Sequence, residues 1–197
     1  MSVSSQTLVG HQIRENNLQI VRAAIHSEQI ATASRLRELT GLSIVTLNKI
    51  INTLLRRGEI LYGDPTTAAG GRPAATYRFN ANFELILIIS CYQRGGMEYA
   101  GYSIHDLFGE CLERREELLS TIDTIHTDEF RIGIERYLER YPKIAMIGLS
   151  MPSDSVGGRV GSAIRHDPPS VRLANHLEKH FQVPVFFETD VNAATLG

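Results

Sequence analysis

The stretch Ala33-Ser-Arg-Leu-Arg-Glu-Leu-Thr-Gly-Leu-Ser-Ile-Val-Thr-Leu-Asn-Lys-Ile-Ile-Asn-Thr-Leu-Leu-Arg-Arg-Gly58 decides the fold of the first part of the chain. Leu36 and Leu39 predict a short helix over residues 33–40, with both leucines facing inward. Gly41 follows at the position where a left-handed residue ends a helix. The stretch therefore begins with one helix and a sharp turn.

The rest of this stretch predicts a longer helix. Ser43 is a good N-cap residue, and the helix is expected to end at Gly58, after two basic residues that suit its negative end. Its apolar residues recur at spacings of three and four and form one stripe: Ile44, Leu47, Ile50, Ile51, Leu54 and Leu55. A helix, the Thr40–Ser43 turn and a second helix have the spacing of a helix-turn-helix.

The flanking residues complete a small domain. A preceding helix is predicted from Asn16 to Ile30, with the apolar residues Leu18, Val21, Ala24 and Ile25 on one face. Residues 59–62 and 75–79 are strand-like, and residues 63–73 between them are rich in Gly, Pro and Thr. We therefore predict a hairpin with a long tip, and a winged helix-turn-helix domain over residues 1–80.

The exposed face of the longer helix carries candidate DNA contacts, because the second helix of such a pair lies in the major groove. With the hairpin tip included, the candidate residues are Ser43, Val45, Thr46, Asn48, Lys49, Asn52 and Arg72. Asn can bond adenine through two hydrogen bonds, and Lys suits guanine or phosphate. Arg72 lies between Gly and Pro, a stiff placement for a phosphate or minor-groove contact. The alternative is a helical hairpin and ribbon that contact only protein.

The charge distribution separates the two parts of the chain. Nine of the 20 basic and five of the 22 acidic residues lie in residues 1–80, so this segment carries +4 and the remainder −6. A basic first part suits a polyanionic partner such as double-stranded DNA.

Beyond residue 84 the pattern changes to a mixed α/β layer. Strands are predicted at 84–90, 97–104, 110–115, 143–149 and 183–187, and helices at 127–141 and 171–180. Asp190 follows the last of these strands, and ligand sites of open α/β sheets lie at the carboxyl ends of strands.

Several classes of protein are excluded by composition. The longest apolar run, Leu85–Ile89, is far shorter than the roughly 18 residues of a membrane helix. Residues 1–6 show neither a basic nor an apolar leader segment. Cys91 and Cys111 are too few for a disulfide scaffold. A cytoplasmic protein with reduced thiols and no membrane partner is therefore expected.

Four short motifs are similar to those of the ROK family (repressors, open reading frames and sugar kinases). They are Gly70-Gly-Arg-Pro73, Asp106-Leu-Phe-Gly109, Ile147-Gly-Leu-Ser-Met-Pro152 and Thr189-Asp-Val-Asn-Ala-Ala194. The resemblance implies that residues 81–197 form the first lobe of an actin-like, RNase H-like ATPase domain. It also implies that this lobe is incomplete, since the family continues with a second lobe and a Cys-rich zinc site.

The resemblance further implies a ligand site. In the family, an Asn-Asp-Ala-Asn segment contacts a sugar, and Asp190 and Asn192 match its Asp and its second Asn. A carboxylate at this position can accept a hydrogen bond from a sugar hydroxyl. The alternative is that Asp190 only caps the helix that follows.

Kinase chemistry is not expected. The phosphate loop of the family's kinases contains an acidic residue and a Thr, and both are absent from Ser90-Cys-Tyr-Gln-Arg-Gly-Gly-Met97. His176 and His180 lie four residues apart on a predicted helix and are interpreted as exposed histidines, so that no metal site and no cofactor are expected.

The preferred function is a DNA-binding transcriptional regulator, a repressor that responds to a sugar or sugar phosphate and acts as a homodimer. Two alternatives stay open. One is an ATP-dependent sugar kinase, and the other is a DNA-binding or dimerising module without a small-molecule ligand.

Overall fold

The computed structural model describes residues 3–65, 74–119, 127–151 and 169–189. The chain divides into two compact units, Met1–Phe83 and Glu84–Gly197. No helix in these described ranges is long and apolar enough to cross a membrane.

The first unit contains three helices and a small antiparallel sheet. Its elements in chain order are α1 (Val3–Glu28), β1 (Ile30–Thr32), α2 (Ala33–Thr40), α3 (Ile44–Arg57), β2 (Ile60–Tyr62) and β3 (Thr76–Phe79). The sheet has the strand order β1-β3-β2, with β3 paired to both neighbours.

The ends of α2 and α3 follow from local sequence. The Thr32 hydroxyl accepts from the Arg35 amide at the start of α2, and Ser43 Oγ accepts from the Thr46 amide, 3.2 Å away, at the start of α3. Gly41 and Gly58 end the two helices at φ values of 67° and 76°, which favour glycine. The predicted N-cap and both predicted helix ends are confirmed.

One face of each helix forms the core of this unit. The buried side chains are Leu18, Val21 and Ile25 of α1, Leu36 of α2, Leu47, Ile50, Ile51 and Leu54 of α3, and Ile60 and Phe79 of the sheet. Two residues that were predicted to face inward do not. Leu39 is exposed because α2 is only about two turns long and its contact surface holds one leucine. Ile44 is exposed because it is the first residue of α3, before the buried stripe begins.

The bounds of α1 and the strand after it differ from the prediction. The helix begins at Val3 rather than Asn16. The side chains of residues 10–17 are exposed or half-buried, so no buried stripe marks this part of the helix. The helix ends at Glu28 because Gln29 takes a positive φ of 61°. Ile30 then pairs with Arg78, distant in sequence, and a three-residue strand is too short to show alternation.

A buried carboxylate ties α1 to the start of β2. Glu59 is 3% exposed, and one of its oxygens lies 2.6 Å from Arg22 Nε. Its other oxygen lies 3.4 Å from an Arg57 nitrogen. Since a buried charge is stable only when it is paired, these two arginines are structural.

In its described residues, the second unit contains a five-stranded mixed sheet and two helices. Its elements are β4 (Leu85–Arg94), β5 (Met97–His105), β6 (Cys111–Leu118), α4 (Thr127–Arg140), β7 (Ile144–Met151), α5 (Pro169–Phe181) and β8 (Val185–Thr189). The strand order is β6-β5-β4-β7-β8, antiparallel from β6 to β4 and parallel from β4 to β8. This is the predicted mixed α/β layer.

The two faces of this sheet differ in burial. Along β4, Leu85, Leu87, Ile89 and Cys91 are buried and the residues between them are half-buried. The core on the buried face includes Ile134 and Tyr137 of α4 and Leu173 and Leu177 of α5. Burial raises the pKa of the Cys91 thiol to about 12, so this cysteine is a core residue without thiolate chemistry at neutral pH.

Candidate nucleic-acid interface

Six of the seven predicted DNA contacts lie on α3 or at its N-cap. Val45 is 61% exposed, and Asn48, Lys49 and Asn52 are exposed, on the side of α3 opposite the buried stripe. Thr46 is half-buried and Ser43 is exposed. The seventh residue, Arg72, lies outside the described residues.

The two hydroxyl groups at the start of α3 are already engaged. Ser43 Oγ accepts from the Thr46 amide and lies 2.9 Å from Thr46 Oγ1. These side chains therefore fix the entry of α3 rather than present free groups. Within the described ranges, the side chains of Asn48, Lys49 and Asn52 have no hydrogen-bond or ion-pair partner, so their polar groups are available to a ligand.

A broad open groove lies beside this face and has a volume of about 920 Å³. It is lined by Arg14 of α1, by Lys49, Asn52, Thr53, Leu55 and Arg56 of α3, and by Tyr62 of β2. Three of these side chains are cationic and none is a carboxylate. The groove therefore has the electrostatic character of an anion-binding surface.

Arg56 is held along α3 by its own helix. Its Nε donates to the Asn52 carbonyl, 3.2 Å away, and a terminal nitrogen donates to Thr53 Oγ1, 3.4 Å away. Thr53 Oγ1 in turn donates to the Lys49 carbonyl. Because these partners are uncharged, the positive charge of Arg56 is oriented but not neutralised.

An exposed aromatic side chain borders the groove. Tyr62 is 66% exposed, and its ring centroid lies 5.8 Å from that of Tyr77 on the paired strand. Partial burial and the neighbouring Tyr62 raise the pKa of the Tyr77 phenol, so it stays neutral. The Thr76 hydroxyl donates to the Asp64 carbonyl, 2.7 Å away, and so links the residues that follow β2 to the start of β3.

Arg14 is a groove residue that sequence patterns missed. It lies in a part of α1, residues 11–16, whose side chains are all exposed, so no buried stripe reveals that part of the helix. The sequence shows only a single basic residue ahead of the predicted helices. That signal is too weak to place Arg14 beside α3.

The predicted ligand residues Asp190 and Asn192 lie outside the described residues. They follow β8, whose carboxyl end lies at the same sheet edge as the carboxyl ends of β4 and β7, because the three strands are parallel. Within the described ranges, no group of three His, Cys, Asp or Glu residues could hold a metal ion. His176 and His180 are exposed on α5.

The stretch 90–97 that corresponds to a kinase phosphate loop forms a β-hairpin. Strand β4 continues to Arg94, and Gly95 and Gly96 turn the chain at φ values of 61° and 77°. Two positive φ values are typical of a type I′ turn, which glycine pairs favour. The predicted strand end at Ser90 was therefore too early, because pairing with β5 extends β4 by four residues.

A smaller cavity of about 240 Å³ lies on the open face of the sheet beside this hairpin. It is lined by Ser90, Tyr92, Arg94, Gly101, Ser103, Arg114 and Glu116. Arg94 lies 2.9 Å from Glu116 and over the Tyr99 ring. Two hydrogen bonds lower the pKa of Glu116: the larger effect comes from Tyr92 and the next from Arg94. Arg94 and Glu116 of this cavity thus already have each other as partners.

Asp106 begins the Asp106-Leu-Phe-Gly109 motif that resembles the ROK family, and its side chain has a structural role. Its side chain is 4% exposed and accepts hydrogen bonds from the amides of Phe108 and Glu110, each 2.9 Å away. It fixes the turn between β5 and β6, and Gly109 completes that turn at a φ of 83°.

Comparison with known proteins gives relatives at low identity. No family model matches the chain. A xylose repressor of Bacillus spizizenii is 25% identical over 206 residues, which cover 100% of this chain and 51% of that protein. A xylose repressor of Bacillus subtilis is 24% identical over 206 residues, which again cover 100% of this chain and 51% of that protein. The chain thus spans about half the length of the curated relatives it matches.

One solved structure shares the fold across both units. It is the crystal structure of a ROK family transcriptional regulator, a homologue of the E. coli MLC protein. The match has a TM-score of 0.59 and 20% identity, and covers 90% of this chain and 46% of that one. The predicted fold class is confirmed. The chain is therefore similar in sequence to xylose repressors and similar in fold to a ROK family transcriptional regulator.

Proposed function

We propose that the chain is part of a transcriptional repressor that binds a double-stranded DNA operator through α3 and adjusts this binding to a sugar or sugar phosphate. The observation that carries the proposal is the exposed face of α3. Asn48, Lys49 and Asn52 lie there without partners in the described structure. The groove beside them is lined, among the described residues, by three cationic side chains and no carboxylate.

The chemistry of this face suits base edges. Asn48 and Asn52 are one helical turn apart, and each amide can donate to and accept from adenine in the major groove. Val45, at the start of α3, offers an apolar surface for a thymine methyl group. The arrangement supports a winged helix-turn-helix in which α3 is the recognition helix and the hairpin with Arg72 is the wing.

The second unit is proposed to sense the effector. The relatives are named xylose repressors, and Asp190 and Asn192 are the proposed contacts to a sugar hydroxyl. Phosphoryl transfer is not part of the proposal, because residues 90–97 contain no carboxylate. A homodimer is proposed because helix-turn-helix proteins commonly read two half-sites one helical turn apart.

The test is selection of duplexes from a random library, followed by titration of the selected duplex at fixed salt. We expect Asn48→Ala to lower affinity for the selected duplex about tenfold while its affinity for random duplex stays near that of the parent. The matched control is Asn175→Ala, an exposed Asn on α5. Failure to enrich any sequence, or equal affinity of the Asn48 variant for the selected duplex, would refute DNA recognition by α3. A sugar that releases the selected duplex identifies the effector.

A further inference from the structure

We propose that the groove between α1, α3 and β2 binds a backbone phosphate of duplex DNA, with Arg14 of α1 as a phosphate ligand beside the base-reading face. This inference rests on the proposed function and adds a contact element that lies outside the helix-turn-helix and the hairpin. It assigns a role to a part of α1 that the core does not use.

The first observation is the burial pattern of α1. From His11 to Asn16 every side chain is exposed, and Leu18 is the first buried residue among the positions of α1 whose burial is described, 10–28. The free energy of packing therefore does not account for this part of the helix. What it supplies to the described structure is Arg14, at the wall of the groove opposite the α3 residues.

The second observation is the separation of Arg14 from acidic groups. Among the described residues, none forms a hydrogen bond or ion pair with the Arg14 side chain. The adjacent Glu15 carboxylate accepts from Gln19 along α1 and does not line the groove. An uncompensated guanidinium in a cationic groove gains most from a doubly hydrogen-bonded anion, and a phosphodiester has the matching oxygen geometry.

The third observation concerns the residues that line the groove together with Arg14. Lys49 belongs both to the base-reading face and to the groove lining, so a phosphate in the groove lies next to bases that contact α3. Arg56 is oriented by Asn52 and Thr53 and presents its charge from the same helix. Because phosphate contacts fix the register of a protein on the duplex, this site positions α3 rather than reads sequence.

The experiment measures binding of the chain to a short random-sequence duplex by fluorescence anisotropy over a range of KCl concentrations. We expect Arg14→Ala to weaken binding about threefold to tenfold at low salt and to reduce the slope of log affinity against log salt by about 1. Arg14→Lys keeps most of the slope because it keeps the charge. The melting temperature of each variant is expected to stay at the parental value, since the Arg14 side chain is exposed.

The matched control is Arg78→Ala, which removes one exposed positive charge from β3 outside the groove lining. It is expected to leave the salt slope unchanged. Equal losses in the Arg14 and Arg78 variants would show that net charge alone matters and would overturn the inference. An Arg14→Ala variant with parental affinity and slope would overturn it as well.

Two further arms separate the possible failures. If the parent chain enriches no DNA sequence and binds no duplex, the proposed function itself fails; if the parent binds and Arg14→Ala binds equally, only the groove assignment fails. Inorganic phosphate is also titrated at constant ionic strength. Displacement of duplex from the parent at lower phosphate concentration than from Arg14→Ala would support a phosphate site at Arg14 that the duplex occupies. Duplex binding to the parent that phosphate does not affect differently from Arg14→Ala would overturn the assignment.

Discussion

The cationic residues that line the groove of the first unit and the arginines of the second unit differ in their acidic neighbours. In the second unit, five of them lie within 4 Å of a glutamate: Arg94, Arg115, Arg131, Arg136 and Arg140. In the first unit, Arg22, Arg35 and Arg57 are paired with carboxylates, but no described ion pair includes Arg14, Lys49 or Arg56 of the groove. The difference indicates where positive charge serves the fold and where it is available to a polyanion.

The local chemistry explains the two patterns. Strand β6 carries Glu113, Glu116 and Glu117, which accept from arginines of β4 and α4, so the edge of the sheet is a network of charges. Charged residues on an edge strand also oppose pairing with other chains. In α3, the described side chains that face the groove are basic or uncharged, and no described ion pair neutralises Lys49 or Arg56.

The largest expected effect is on the buried ion pair of the first unit. Glu59→Ala leaves Arg22 and Arg57 without their carboxylate and is expected to lower the free energy of unfolding by about 3 kcal/mol. Urea unfolding of the chain measures this change. Glu38→Ala is the control, because Glu38 is 68% exposed and 3.6 Å from Arg35. Equal stability of the Glu59 and Glu38 variants would contradict a structural role for the Arg22–Glu59 pair.

The next effect separates free from paired cations. Lys49→Gln and Arg136→Gln each remove one positive charge. We expect the first to reduce affinity for the selected duplex about tenfold, because Lys49 has no described carboxylate partner. The second is expected to leave affinity unchanged, since Arg136 lies 2.6 Å from Glu117, and to cost less than about 1 kcal/mol of stability. Fluorescence anisotropy measures the affinity of the two variants, and thermal melting measures their stability. Similar losses of affinity would contradict the distinction between unpaired groove cations and paired arginines.

The smallest effect concerns the pH dependence of the paired network. A hydrogen bond from Tyr141, with Arg140 and Arg115 nearby, lowers the pKa of Glu113 from its ordinary value of 4.5. A carboxyl whose pKa is lower in the folded state stabilises the fold above its ordinary pKa, and this contribution is lost as the pH falls through the folded-state value. Glu113→Gln is therefore expected to flatten the loss of melting temperature below pH 4.5. If the melting temperature of Glu113→Gln falls below pH 4.5 as steeply as that of the parent, Glu113 does not contribute to the pH dependence of stability.

Local patterns predicted most of the elements. The buried stripe of α3, its Ser43 cap and the glycines that end α2 and α3 were all visible in the sequence, because each depends on neighbours within a few residues. The strand pattern of the second unit was predicted to within a few residues for the same reason. The exposed face of α3 was predicted from the residues left over once the stripe had been assigned.

What the patterns missed depends on distant pairing. Strand β1 exists because Ile30 pairs with Arg78, and β4 extends to Arg94 because β5 pairs alongside it. Leu39 and Ile44 share the periodicity of buried residues, yet both are exposed, because no element in the described part of the chain covers them. Periodicity specifies which side of a helix is apolar, but burial needs a partner surface.

The sequence by itself determined the two-part organisation, the helix-turn-helix spacing, the polar face of α3 and the ROK resemblance, because these depend on residue types at short separations. Only the tertiary structure decided which charges are neutralised. Arg22 and Arg14 lie eight residues apart on one helix, yet Arg22 contacts the buried Glu59 and Arg14 lines the groove beside α3. Their different roles follow from the elements that α1 meets along its length, and electrostatic partners of this kind are set by the packed fold.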